Sequence, residues 1–262
     1  MFQAPHTGYR SIAATAICLC AGVSSMAEAR EITCYSAEFP PYVISREQAV
    51  SGIDVEVVAE AGRRAGMVVN VKLLPWVRLE NELKKGAASE VECAFAYSKN
   101  AARTRYMDFT DVPMKLTSYV LFAKKGTLAN YRGVLELQGK TIGLRRGFIV
   151  PGVVEEMRRE NKLTIDETDS DIANFTKLDK GRIDGILTNA EVGHATLQQL
   201  QLSSIIAIEP TIEKIPTYLV FNKQKNLSTE LSSFNKALKE IMADGTARKI
   251  RNKYLHLPAG GQ

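Results

Sequence analysis

Short apolar runs alternate with stretches of helical periodicity almost from one end of the chain to the other, and no other feature limits the fold as much. Residues 32–36, 68–74 and 91–96 read as strands. Between them Ile53, Val57, Ala61 and Ala65 recur on one helical face after Gly52, and Gly66 stops that helix. Pro75 suits the start of a second helix over 76–85, and Gly86 suits its end. A second series follows an extended run at 118–124. It comprises a strand at 141–144, helices at 153–159 and 171–180, a buried strand at 185–187, a helix at 190–199 and a strand at 204–208. Another extended run, 217–222, leads to two terminal helices separated by Asp244 and Gly245. Strands alternating with helices predict an α/β fold of mainly parallel sheets flanked by helices. The two extended runs bracket the second series, which predicts a lobe, 119–218, inserted into a first lobe of 30–118 plus 219–262. Such an arrangement leaves a cleft between lobes, with ligand contacts at the carboxyl ends of strands.

The first 29 residues read as an export signal. Arg10 precedes an uncharged stretch at 11–26, and Ala27, Glu28 and Ala29 form a small-x-small cleavage site. The apolar stretch is short for a membrane span. The mature chain is expected to begin at Arg30, in the periplasm, and Cys18 and Cys20 lack the preceding small residue that lipid anchoring favours. Cleavage removes Arg10 and Glu28 together, so the formal charge of +5 also describes the mature protein. The basic residues are scattered, at Arg63, Lys84, Arg158, Lys223 and Lys249 among others, which argues for a solvated surface and against nucleic acid. Only Cys34 and Cys93 survive cleavage. An oxidising compartment permits a disulfide between them, and two buried thiols fit the sequence equally well. No spacing suggests a metal site.

Several segments carry a resemblance by their order and spacing. Glu38 to Tyr42 (EFPPY) follows the first strand and Gly52 to Glu56 (GIDVE) opens the first helix. Ser98 to Arg103, running on to Asp108 to Asp111 (DFTD), follows the third strand. Leu137 to Gly143 (LQGKTIG), Gly181 to Gly185 (GRIDG) and Ala243 to Thr246 (ADGT) complete the set. Together they resemble the family 3 periplasmic solute-binding proteins of amino-acid ABC transporters over nearly the whole mature chain. The resemblance implies a two-lobed type II periplasmic-binding-protein fold joined by two hinge strands. It also implies a monomer that closes over a small carboxylate-bearing ligand, needs no cofactor and delivers its ligand to an inner-membrane ABC permease.

Arg103 is the foremost candidate, because a guanidinium matches a carboxylate bidentately. In the family this arginine holds the ligand carboxylate, and the stretch at Ser98 completes its hydrogen bonds. A surface pairing with Asp108 or Asp111 is the alternative. Phe39 matches the family's stacking aromatic, whereas Tyr42 and Trp76 serve equally well as ligand contacts or core residues. Phe148 stands where the second lobe normally offers a small hydroxyl. For Arg145 and Arg146 before it a solvated pair is the default reading, with a cleft-facing arginine as the alternative, and Arg146 is counted with the ligand set. Asn189 stands where amino-acid binders carry an aspartate for the ligand's ammonium, and Glu191, two positions on along a helix, points elsewhere. A standard α-amino acid is therefore less certain than the resemblance implies, and a carboxylate without an adjacent amine is a live alternative.

Catalysis needs a positioned base, nucleophile or metal, and the mature chain offers His194 and His256 but no HExxH, GxSxG, CxxC or phosphate loop. No catalytic residue is expected. The alternatives are an exported enzyme on this fold, such as a cyclohexadienyl dehydratase, with Glu38 as its carboxylate, or a sensing subunit for a separate receptor.

Overall fold

A computed structural model describes residues 1–2, 29–47, 49–128 and 131–255. The expected export signal lies almost entirely outside the described residues, as does His256. The first part of the chain contains β1 (Arg30–Ser36), β2 (Ile44–Arg46), β3 (Ala49–Ser51), α1 (Ile53–Arg64), β4 (Met67–Leu73), α2 (Trp76–Lys84), β5 (Cys93–Ser98) and β6 (Met107–Phe109). After the long β7 (Lys115–Lys124) come β8 (Thr141–Arg145), α3 (Gly152–Arg159), β9 (Thr164–Thr168), α4 (Asp171–Asp179), β10 (Gly185–Asn189) and α5 (Ala190–Leu200). The chain returns through β11 (Ile205–Asn222) to α6 (Ser228–Ala243) and α7 (Thr246–Leu255).

The two predicted strand series are present, and one ladder joins them. The order is β4-β1-β5-β11-β7-β10-β8-β9, with β6 also on β11, while β2 and β3 form a separate hairpin. Within each lobe the pairs β1–β4, β1–β5, β8–β9 and β8–β10 are parallel. The junction is antiparallel: β11 runs against β5 and β7, and β10 runs against β7. The sequence shows β11 as two runs because Glu209 and Pro210 interrupt its apolar pattern; the β7–β11 register breaks at that place, between Ile208 and Glu213.

Alternation along the strands separates two cores in each lobe. In the first, Ile32, Cys34, Phe95, Leu219 and Phe221 face α1 and α6, while Tyr35, Ala94, Tyr97 and Val220 face Trp76, Leu79 and Leu83 of α2. Phe95 and Tyr97 are two positions apart yet face opposite sides of the sheet. A β-bulge lies between them: β11 pairs Tyr218 with Tyr97 and Leu219 with Phe95, and Ala96 has φ 70°. The bulge turns Tyr97 toward α2. In the second lobe, Tyr119, Leu121, Ile142 and Leu144 pack on Val154 and Met157 of α3, while Val120, Phe122 and Ile186 pack on Phe175 and Leu178 of α4. Gly193 lets α5 lie against Phe122, since a Cβ there would come 2.2 Å from that ring.

Cys34 and Cys93 stand opposite one another on β1 and β5 and form a disulfide. This decides between the two states the sequence left open. The bond closes a loop of 59 residues in sequence separation. Replacing both cysteines with alanine is expected to lower stability by about 4 kcal/mol on the chain-entropy account. Urea denaturation of the variant, beside the parent with and without reductant, checks this.

Candidate functional site

Ser98 ends β5, and a short turn follows in which Asn100 Oδ1 accepts a hydrogen bond from the Arg103 backbone N–H at 2.8 Å. That turn brings Arg103 back under the strand end, where it is 4 % exposed. Its Nη1 donates to the Ser98 carbonyl at 3.0 Å and to Ser98 Oγ at 3.2 Å. Its Nη2 lies 3.4 Å from Glu80 Oε2 on α2, and Glu80 also accepts from the Tyr106 hydroxyl. The guanidinium packs over the Tyr97 ring at 4.9 Å and the Trp76 ring at 5.7 Å. Its partner is thus Glu80, not the Asp108 or Asp111 weighed from sequence; those meet Lys223 and Lys239. Arg103 Nε donates to Glu80 Oε1 at 3.5 Å, so of the five N–H groups of the guanidinium those of Nη2 remain for a second anion.

Arg103, Ser98, Phe39, Trp76 and Phe148 line one cavity between the lobes, together with Ser36, Ala37, Ala96, Lys115, Thr117, Tyr119, Ile149 and Thr217. Phe148 reaches across from the second lobe, its ring 5.2 Å from both Phe39 and Trp76 in edge-on contact. Trp76 Nε1–H donates to the Gly147 carbonyl at 3.0 Å, which ties α2 to the same loop. Trp76 is thus at once a cavity wall and a core residue, stacked on Tyr97 at 4.5 Å.

Three of the expected site residues lie elsewhere. Tyr42 is buried beneath Phe39, 6.0 Å from it, with Lys115 over its ring at 3.9 Å. Asn189 caps α5: its Oδ1 accepts from the Val192 N–H at 3.0 Å, and the residue is 1 % exposed without lining the cavity. Arg146 points out to Asp169 and Glu167, at 3.3 and 3.9 Å. Of the adjacent arginines it is Arg145 that faces the cleft. It donates to the Glu38 carbonyl at 2.9 Å, lies 3.6 Å from Asp171 and covers the Phe148 ring at 5.0 Å. One residue separates opposite faces of a strand, and Arg145 closes β8 with its side chain inward. Glu191 pairs with Arg251 at 2.7 Å, and Glu38 is exposed, so neither stands in the cavity. His194 is exposed on α5, against Phe122.

The charges around the site are answered within the protein. Burial raises the Asp54 carboxyl above its ordinary range, and Lys115, ion-paired with it, pulls it back. Burial likewise raises Asp171, opposed by Arg145 and by a 2.8 Å bond from Thr188, and lowers Arg145, opposed by Asp171 and Glu38. Sequence reading missed Glu80, Lys115, Thr117 and Thr217. The last two carried a signal: each is a polar residue at an inward position of an otherwise apolar strand. Among the described residues no cluster of His, Cys, Asp and Glu could hold a metal ion, and no helix is long and apolar enough to cross a membrane.

Known proteins share this architecture. The arginine-binding extracellular protein ArtP of Bacillus subtilis is 23 % identical over 223 residues, covering 84 % of this chain and 83 % of that one. A solved ancestral arginine-binding protein bound to arginine superposes with a TM-score of 0.73 at 22 % identity, over 87 % of this chain and 98 % of its own. A histidine kinase sensor domain with similarity to periplasmic binding proteins gives 0.72 at 20 % identity, over 86 % and 96 %. Residues 32–257 match the bacterial extracellular solute-binding proteins, family 3, and the chain belongs to that family.

Proposed function

We propose that this protein is an exported solute-binding component that captures a small carboxylate-bearing ligand between its lobes and hands it to an ABC permease. Arg103 carries the reading: a guanidinium almost wholly buried at a strand end, beside a cavity between lobes, with donors beyond those its own partners use. The ligand carboxylate meets Arg103 and Ser98 on the first lobe, 30–118 plus 219–262. The second lobe, 119–218, closes over it with the loop that carries Phe148. Closure turns about β7 and β11, the two strands that pass between lobes. The names of the relatives, ArtP among them, support an amino acid or related organic acid as ligand. The pattern of residues 1–29 supports a periplasmic protein released from its signal.

A thermal-shift screen against amino acids, oxo acids, dicarboxylates and amines finds the ligand, because binding to the native state raises the melting temperature. Arg103→Lys keeps the charge but loses the planar fork, and calorimetry is expected to show affinity for that ligand at least tenfold lower. Unchanged affinity in this variant, with circular dichroism as in the parent, overturns the carboxylate reading.

Trp76→Phe removes the indole N–H that bonds Gly147 across the cleft. The loss of one such bond, worth about 1 kcal/mol, shifts the balance toward an open form. Small-angle scattering is expected to report a larger radius of gyration for the variant, and calorimetry a several-fold weaker ligand affinity.

A further inference from the structure

The cavity that Arg103, Thr117 and Thr217 line is small, and its polar side chains are cations and hydroxyls. Counted for the centre of a water-sized sphere it measures about 30 Å³, a small multiple of the roughly 10–15 Å³ that a single water requires. Phe148, wedged between Phe39 and Trp76, fills the space on the second-lobe side. Among the described residues none of those lining the cavity is a carboxylate. The acids nearby are engaged elsewhere: Glu80 with Arg103 and Tyr106, Asp54 with Lys115, Asp171 with Arg145 and Thr188. Asn189 Oδ1 bonds the Val192 N–H.

The hinge strands contribute a feature of their own. Thr117 on β7 faces Ile215 and Thr217 on β11 faces Lys115, so the two threonines lie diagonally on the same face of the ladder, the face that lines the cavity. They are 3 % and 8 % exposed, and neither Oγ has a hydrogen-bond partner. Buried hydroxyls are nearly always bonded, so a pair without partners beside a cavity points to a ligand atom.

We propose that the site takes short 2-oxo and 2-hydroxy acids, with the carboxylate on Arg103 and Ser98 and the neighbouring neutral oxygen on Thr117 and Thr217, and that it rejects the matching 2-amino acids. This deepens the carboxylate reading and rests on it. A carbonyl or hydroxyl oxygen receives hydrogen bonds from the threonines without burying a charge. An ammonium group in the same place loses its water and meets no anionic acceptor.

The test is calorimetric titration of the protein, purified after expression of the full chain, with pyruvate, L-lactate, L-alanine and L-arginine. Pyruvate or lactate is expected to bind at least tenfold more tightly than alanine or arginine. Thr117→Val and Thr217→Val, which exchange hydroxyl for methyl at the same volume, are each expected to weaken pyruvate binding at least tenfold, and Thr→Ser at either position to restore it. The proposal is overturned if alanine or arginine binds as tightly as pyruvate, if neither pyruvate nor lactate binds, or if the valine variants bind pyruvate unchanged. Arg103→Lys separates the two levels. An amino acid that binds the parent and is lost in this variant removes the oxo-acid proposal and leaves the carboxylate reading standing. Binding that survives it removes both.

Discussion

The antiparallel pairing of β7 with β11 is the constraint on which the rest of this molecule depends. Each lobe builds its own parallel strands, but both sets are fastened to these two: β5 and β6 to β11, and β10 to β7. Parallel sheets need helical crossovers, which cover both faces and leave no side on which the lobes could simply stack. A shared antiparallel ladder solves this by continuing one sheet into the other. It also places the site, because the strand ends that face the cleft lie next to the ladder. Lys115, Thr117, Tyr119 and Thr217 belong to the ladder and line the cavity at once.

Around that cavity the protein buries several charges and leaves few of them alone. Arg103 has Glu80, Lys115 has Asp54, and Arg145 has Asp171. Removing charges from water is costly unless geometry and hydrogen bonds compensate, so these pairs hold the guanidinium and ammonium groups in place more than they add stability. A cavity lined this way has its cations positioned in advance. Arg103 in addition has two aromatic rings beneath it, which fix its plane.

At the loop of Phe148 the second lobe meets the first through rings. Phe148 stands where a small hydroxyl residue is expected from the family resemblance, and its contacts with Phe39 and Trp76 exchange a polar ligand contact for apolar packing. Arg145 covers the outer side of this cluster and bonds the Glu38 carbonyl. The consequence is a narrow site in which the first lobe and the hinge supply most of the polar groups. It departs from the arrangement expected for an α-amino acid at two places, Phe148 and Asn189, and both departures reduce what is available to an ammonium group.

The sequence by itself determined the α/β class and the two strand series, and of the eight residues it proposed for one site, Arg103, Ser98, Phe39, Trp76 and Phe148 line one cavity. Periodicity records which face of each element is buried, and a strand end followed by polar residues marks where a cleft lies. The hairpin β2–β3 and the short strands β6 and β9 were not legible, since brief half-buried strands carry too few residues to show a period. The unity of β11 was hidden by Pro210. Only the tertiary structure decided that Cys34 and Cys93 are joined, that Arg145 and not Arg146 turns inward, that Asn189 caps a helix, and that Glu80 stands behind Arg103. The cap is a local contact with Val192, but the others are matters of register or of which distant element lies alongside, and a one-residue change of register sends a side chain to the opposite face while composition and periodicity stay the same.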